Sequence, residues 1–442
     1  MYASIRIIAV AGSALLSFTA QAALGQSTTQ LSDVYRIARQ QSSRLQAALA
    51  VVAAKKSVEP GAALPPDPEV QLGAMNLSLP GLSATMPTSM APSVQVMQML
   101  PLFGKLGVSA RIAKQTTTIA SADADETWWE VRAEAAMAFY EVYQADREIS
   151  VMEETLRLLQ DFRKVAHAMY SAGEGRQADV LRAAVEAARM EAEIKRMQAM
   201  RVAAAARLNA VLNLSPDAVV VSPEFPSLPS TIPTKDTLRS WAEASRPMLA
   251  RGRTEVEQAQ SRLQLAKKEI WPDLTLGVQY GQRRAEMPTA DPAMPSEYTT
   301  ERMGSVMIGF SVPLFAGKRQ LKMREEAEAM RQMARADLTR MRAYVNARIG
   351  ELVANLDRNR TLITLYSNDI LPQADANVKS SFSSYRVGKV DFMTLVDAQM
   401  TSNKYRQELA ALLAQYGADV AELEMTIGRE LPVPTALIAG GQ

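Results

Sequence analysis

Tyr170-Ser-Ala-Gly173 returns in the second half of the chain as Tyr385-Arg-Val-Gly388, and the offset of 215 residues holds without a gap as far as Leu208 and Leu423. Two more pairs lie upstream. Leu100-Pro-Leu-Phe103 recurs as Val312-Pro-Leu-Phe315 at an offset of 212, each followed closely by Gly-Lys, and Pro66-Asp67 recurs as Pro272-Asp273 at 206. The matches keep their order while the offset grows along the chain. This is expected of a duplicated unit whose second copy has gained loop residues.

Each half has the same plan: a helix, two short alternating segments around a loop, one very long helix, a glycine-containing turn and a further helix. In the second half Leu274, Leu276, Val278 and Tyr280 alternate with Thr275, Gly277, Gln279 and Gly281, the period of two of a strand with one apolar face. Val306, Ile308, Phe310 and Val312 repeat the pattern. The first-half equivalents, around Val70-Gln71-Leu72 and Val94-Gln95-Val96, are weaker but flank a Pro/Ser/Met-rich loop in the same place. The expected strands are about 69–78, 93–101, 273–283 and 304–314. On pattern alone they fit either two hairpins on a soluble core or part of a transmembrane barrel. Four strands cannot close a membrane barrel, for which about eight is the smallest common number, so a barrel requires several chains.

Residues 105–170 and 318–385 are rich in Ala, Glu, Arg, Met and Leu, all strong helix formers. Runs of this length cannot bury their apolar stripes alone and are expected to pack side by side as coiled coils. Pro372 lacks an amide proton and predicts a kink or short break in the second run. Proline at 216, 223, 226, 229 and 233 predicts an irregular segment over 214–235 between a first repeat, 23–213, and a second, 236–431, with a tail over 432–442. Residues 1–22 read as a secretory signal peptide, with Arg6, an apolar core from Ile7 to Phe18 and Ala20-Gln-Ala22 as a cleavage site.

The 442-residue chain has a formal charge of +2, which becomes +1 without the leader, so it offers no basic field for nucleic acid. Cysteine is absent and His167 is the single histidine, which excludes Cys/His nucleophiles, Ser-His-Asp triads and the usual zinc sites. Carboxylates are spread along helix faces without a catalytic cluster. Neither an enzyme nor a cofactor or metal site is expected.

Ala266-Lys-Lys-Glu-Ile-Trp-Pro-Asp-Leu274, Val312-Pro-Leu-Phe-Ala-Gly-Lys318, Ile370-Leu-Pro-Gln-Ala374, Tyr385-Arg-Val-Gly388 and Leu395-Val-Asp-Ala-Gln399, in this order and duplicated, resemble the outer-membrane efflux proteins, the TolC-like exit ducts of tripartite pumps. The resemblance implies a mainly α protein with a small β part. In such a homotrimer four strands per chain form one twelve-stranded barrel, continuous with a helical coiled-coil barrel in the periplasm. Implied partners are a periplasmic adaptor (membrane fusion) protein, an inner-membrane transporter of RND type and outer-membrane lipid. Gly173 and Gly388 match hairpin tips that contact the adaptor. Asp179 matches a gate carboxylate bonded to a tyrosine, for which Tyr385 is the counterpart, and Asp397 matches one of two aspartates ringing the constriction. Thr394 stands where the family has the second aspartate and Val390 where it has a basic latch, which implies a gate held either less tightly or by other pairs such as Arg176.

Plain structural roles stay open for these residues: a first-turn carboxylate for Asp179, hairpin packing for Tyr385, a solvated helix position for Asp397. Pro66-Asp-Pro-Glu69 with Leu100-Pro-Leu-Phe-Gly-Lys105 looks closest to the heavy-metal branch of the family. Met86, Met90, Met287 and Met294 are expected in extracellular loops, where thioethers bind Cu(I) or simply fill gaps. The rival reading is a soluble periplasmic coiled-coil adaptor or scaffold.

Overall fold

The Ala- and Glu-rich run after Gly104 forms one helix in the computed structural model, α3 (Lys105–Ser171). Residues 29–77, 80, 89–229, 231–287 and 297–432 are described; the expected leader, Met86, Met294 and nearly all of the tail lie outside them. The remaining helices are α1 (Leu31–Gln41), α2 (Ser43–Val58), α4 (Gln177–Val211), α5 (Lys235–Ser245), α6 (Pro247–Lys268), α7 (Gln320–Leu365), α8 (Leu371–Arg386) and α9 (Phe392–Ile427). The strands are β1 (Glu69–Met75), β2 (Met90–Leu100), β3 (Leu274–Met287) and β4 (Glu297–Phe310).

The second long run is interrupted, as proline chemistry demands. A π-helical turn, Tyr366–Ile370, separates α7 from α8, and Pro372 sits in the first turn of α8, where its missing amide costs nothing. Strands β3 and β4 extend beyond the expected 273–283 and 304–314 at their loop ends. Their pairing continues past the apolar alternation through Arg283 and Glu301, which face each other in register and form an ion pair at 2.5 Å. Two of the four methionines expected in loops, Met90 and Met287, belong to strands instead, and Met90 is buried.

The residues divide into two units. Among the described residues one comprises 29–36, 138–226 and 370–414. Its core is a coiled-coil seam: Leu159, Phe162 and Ala166 of α3 meet Ala183, Ala187, Met190 and Ile194 of α4 and Phe392, Leu395 and Val396 of α9. Steps of three and four residues place the α3 and α4 positions on one stripe of each of those helices, and the alanines let the backbones approach closely. The rings of Phe162 and Phe382 stack at 5.2 Å. The proline-rich segment after α4 is held to the helices by Asn209, whose side-chain amide donates to the carbonyls of Pro216 (3.2 Å) and Ala218 (2.8 Å). These bonds satisfy backbone that no helix or strand completes.

The second unit comprises the described residues within 37–137, 227–369 and 415–432. It contains one antiparallel sheet in the order β1-β2-β3-β4. The register places Val70, Val96, Val278 and Val306 in one row across the sheet, and Leu72, Val94 and Tyr280 in the next. Most of these apolar side chains are exposed. The opposite face carries glycine, methionine and glutamine, and a Cβ at Gly281 would lie 2.8 Å from Met90 Cε and 3.2 Å from the Pro92 carbonyl. In the same unit Arg246, 4% exposed, donates to Glu126 at 3.0 Å and to the Thr426 carbonyl at 3.0 Å, tying α3, α6 and α9 together. Among the described residues no helix is long and apolar enough to cross a membrane.

Candidate functional site

The two glycine turns have one backbone design. Gly173 (φ +77°) donates to the Tyr170 carbonyl and Glu174 to that of Met169. Gly388 (φ +68°) donates to the Tyr385 carbonyl and Lys389 to that of Ser384. Both are Schellman endings, in which a left-handed residue turns the chain so that the last helical carbonyls find donors. The duplicated motif is thus a duplicated helix ending.

The side chains around the endings differ. Tyr385 is 3% exposed and Tyr170 is 45% exposed. Tyr385 packs edge-on against Phe392, with ring centroids 5.5 Å apart, and its hydroxyl donates a long hydrogen bond of 3.5 Å to Asp179 Oδ2. Burial, followed by the charge of Asp179, pushes its phenol up to about 12, so it stays a protonated donor at any physiological pH. The structure therefore brings together Asp179 of α4 and Tyr385 of α8, which lie 206 positions apart in sequence.

Thr394, which stands where a second aspartate was expected, is engaged locally: its amide and hydroxyl donate to Asp391 Oδ1 at 2.9 and 2.5 Å. This is an N-cap of α9. The Thr394 hydroxyl and then its amide hold the Asp391 carboxyl below the ordinary aspartate range, and the charges of Arg176 and Arg182 add to the effect. Asp397 is exposed one turn further along α9, and no ion-pair partner is present among the described residues. Val390 packs against the apolar seam.

Sequence reasoning missed Asp391 and Arg182. The signal was present in the repeat, because the offset of 215 aligns Arg176 with Asp391 and Arg182 with Asp397. Charge is inverted at both positions. In the first copy the cap is lost: Arg176 occupies the N-cap of α4 and makes no side-chain cap bond. A cation there is unfavourable to the helix dipole, and the charge of Arg176 is one of those that lower the Asp391 carboxyl.

Among the described residues no group of three or more His, Cys, Asp or Glu is placed to hold a metal, and His167 is exposed on α3. The arrangement is suited to holding helix ends together through reversible polar contacts.

The family described as "Outer membrane efflux protein" matches residues 34–214 and 238–429. The cobalt-zinc-cadmium resistance protein CzcC of Cupriavidus metallidurans is 23% identical over 333 residues, which is 75% of this chain and 75% of that protein. The outer membrane protein VceC from Vibrio cholerae is similar in structure (TM-score 0.73, 18% identity, 90% of this chain and 96% of that one). The open state of the MtrE outer membrane channel of Neisseria gonorrhoeae is similar as well (TM-score 0.71, 16% identity, 90% and 89%).

Proposed function

The chain belongs to the outer membrane efflux protein family, and from that premise we propose that it is the exit duct of a tripartite system that expels metal cations. It is an outer-membrane efflux channel with periplasmic helices, not an enzyme, and it works as a trimer with an adaptor and a pump. The observation that carries the reading is the sheet: four strands with a bare apolar face and two unpaired edges. Lipid is the solvent that suits such a face, and lipid tolerates no open edge. Three copies supply twelve strands and close the ring.

The likeness to a cobalt-zinc-cadmium resistance protein supports metal cations as cargo and an RND-type transporter as the pump. The duct itself need not bind what it conducts. The division into a cleaved leader (1–22), two repeats (23–213 and 236–431), a linker and a tail belongs to the same reading. So does a gate in which Tyr385 and Asp179 latch one hairpin to the other, Asp391 anchors Thr394 beside Arg176 and Arg182, and Asp397 faces its copies. The long Tyr385–Asp179 bond suits a latch that a partner must open. The turns at Gly173 and Gly388 are the proposed adaptor contacts.

Cell fractionation of the full-length chain, with unboiled and boiled gel lanes, tests the channel. The expected result is a processed outer-membrane protein that runs as an SDS-resistant trimer until heated. A monomer released without detergent overturns it and restores the soluble-scaffold reading. For the cargo, loss of the chain is expected to lower tolerance to zinc, cobalt or cadmium, whereas loss of drug tolerance alone replaces metal with drug.

A further inference from the structure

Lys105 follows β2, the last strand of the first repeat, and Asp273 precedes β3, the first strand of the second. The lysine side chain is 5% exposed; its Nζ lies 2.8 Å from Asp273 Oδ1 and 3.6 Å from Glu269 Oε2, and it donates to the Trp271 carbonyl at 3.0 Å. The Phe103 ring lies 5.1 Å from Trp271. Where one repeat's sheet joins the next, the chain is clamped by a buried charge.

The duplication supplies the parts for a second clamp and leaves them apart. Lys318 follows β4 as Lys105 follows β2, and Asp67 precedes β1 as Asp273 precedes β3. Both are exposed, and neither has an ion-pair partner among the described residues. The segment leading to Lys318 is bare as well: Val312, Leu314 and Phe315 are 68%, 83% and 77% exposed, whereas Leu100 and Leu102 in the first copy are half-buried. β1 and β4 are the two edges of the sheet, so within one chain the two halves of this clamp stand on opposite edges.

We propose that Lys318 of one copy pairs with Asp67 of the next, and that the bare Val312–Phe315 segment is covered by the residues ahead of that copy's β1. This rests on the trimeric-duct reading. In a closed antiparallel ring β4 must meet the β1 of a neighbour, which brings the two half-clamps to one seam. The ring then carries six clamps, three within chains and three between them. The between-chain version is the plainer one, because Ala63 and Pro65 stand where the second repeat has Glu269 and Trp271. Lys318 finds one carboxylate where Lys105 finds two.

The absence of cysteine makes the test direct. Full-length chain carrying Lys318→Cys with Asp67→Cys is treated in outer membranes with a short bismaleimide, since a lysine–aspartate pair commonly spans more than the roughly 4.4–6.8 Å between Cα atoms that a disulfide allows. Covalent dimer and trimer are expected after boiling. The single-cysteine chains should give no such bands, and Lys105→Cys with Asp273→Cys should link only within a chain. Unboiled trimer with boiled monomer overturns the clamp and leaves the duct reading standing; absence of any trimer from the unmodified chain overturns both. Should the double-cysteine chain fail to assemble, charge reversal decides: Lys318→Asp and Asp67→Lys are each expected to lower the temperature at which the trimer dissociates, and their combination to restore it. Losses that simply add overturn the pairing.

Discussion

Tyr385 and Tyr170 show how identical residues in repeated motifs acquire different roles, since only Tyr385 is buried and reaches a carboxylate. Tyr385→Phe combined with Asp179→Asn removes the donor and the charge but keeps both shapes, and single-channel recording is expected to show raised conductance relative to the unmodified channel. The phenol's raised value also sets a pH window. A proton held more tightly in the fold contributes stability that is intact below about pH 10 and is lost as pH rises through about 12; ultraviolet titration against Tyr385→Phe reads that ionisation. Asp391 has the opposite sign. Its lowered value means that the cap is intact above the ordinary aspartate range, near pH 4, and fails as pH falls through the lower folded value. Protection of the Thr394 amide from hydrogen exchange, taken relative to the unstructured rate at each pH, should therefore hold at neutral pH and fall in strong acid, and Asp391→Ala should lower it at neutral pH. The Asp391-Phe-Met-Thr394 spacing was legible as a cap. The nearness of Arg176 and Arg182 was not, because it depends on how helices from the two repeats pack.

At the scale of elements, the helices and turns follow closely from local chemistry. Lys105 to Ser171 contains no proline, and its glycine at 107 falls in the first turn, so nothing ends the helix before Gly173. Gly388→Ala places a Cβ on a residue at φ +68° and should cost about 1–2 kcal/mol, read as lowered unfolding temperature without loss of secondary structure. Strand limits were harder to read, because the apolar period ends near Arg283 while pairing continues through charged cross-strand partners. Gly281→Val is expected to impair insertion, since its Cβ already meets Met90 and the Pro92 carbonyl, and a methionine tip can move where a carbonyl cannot. The amount of folded trimer in the membrane measures it.

At the scale of the whole molecule, Asp397 acquires meaning only through copies. One exposed carboxylate on α9 is a solvated helix position; in the proposed gate its three copies would face one another around the threefold axis, an arrangement that attracts cations. Asp397→Asn is expected to weaken block by divalent cations in planar bilayers with the trimer intact, and unchanged block removes Asp397 from the constriction. The same scale explains the bare surfaces. The exposed apolar face of the strands and the open edges of β1 and β4 are defects in a lone chain and complements in a closed ring.

The sequence by itself determined the duplication, the long helices, the proline-marked break, the glycine turns and the apolar period of the strands. Each depends on residues close in sequence, on proline's missing amide, glycine's freedom at positive φ, or side chains alternating about one backbone. Tertiary structure alone decided which tyrosine is buried, that it meets Asp179, and that Lys105 reaches Asp273. Those contacts join residues that the duplication places more than 150 positions apart, and identical motifs in the two repeats meet different neighbours once the halves are packed.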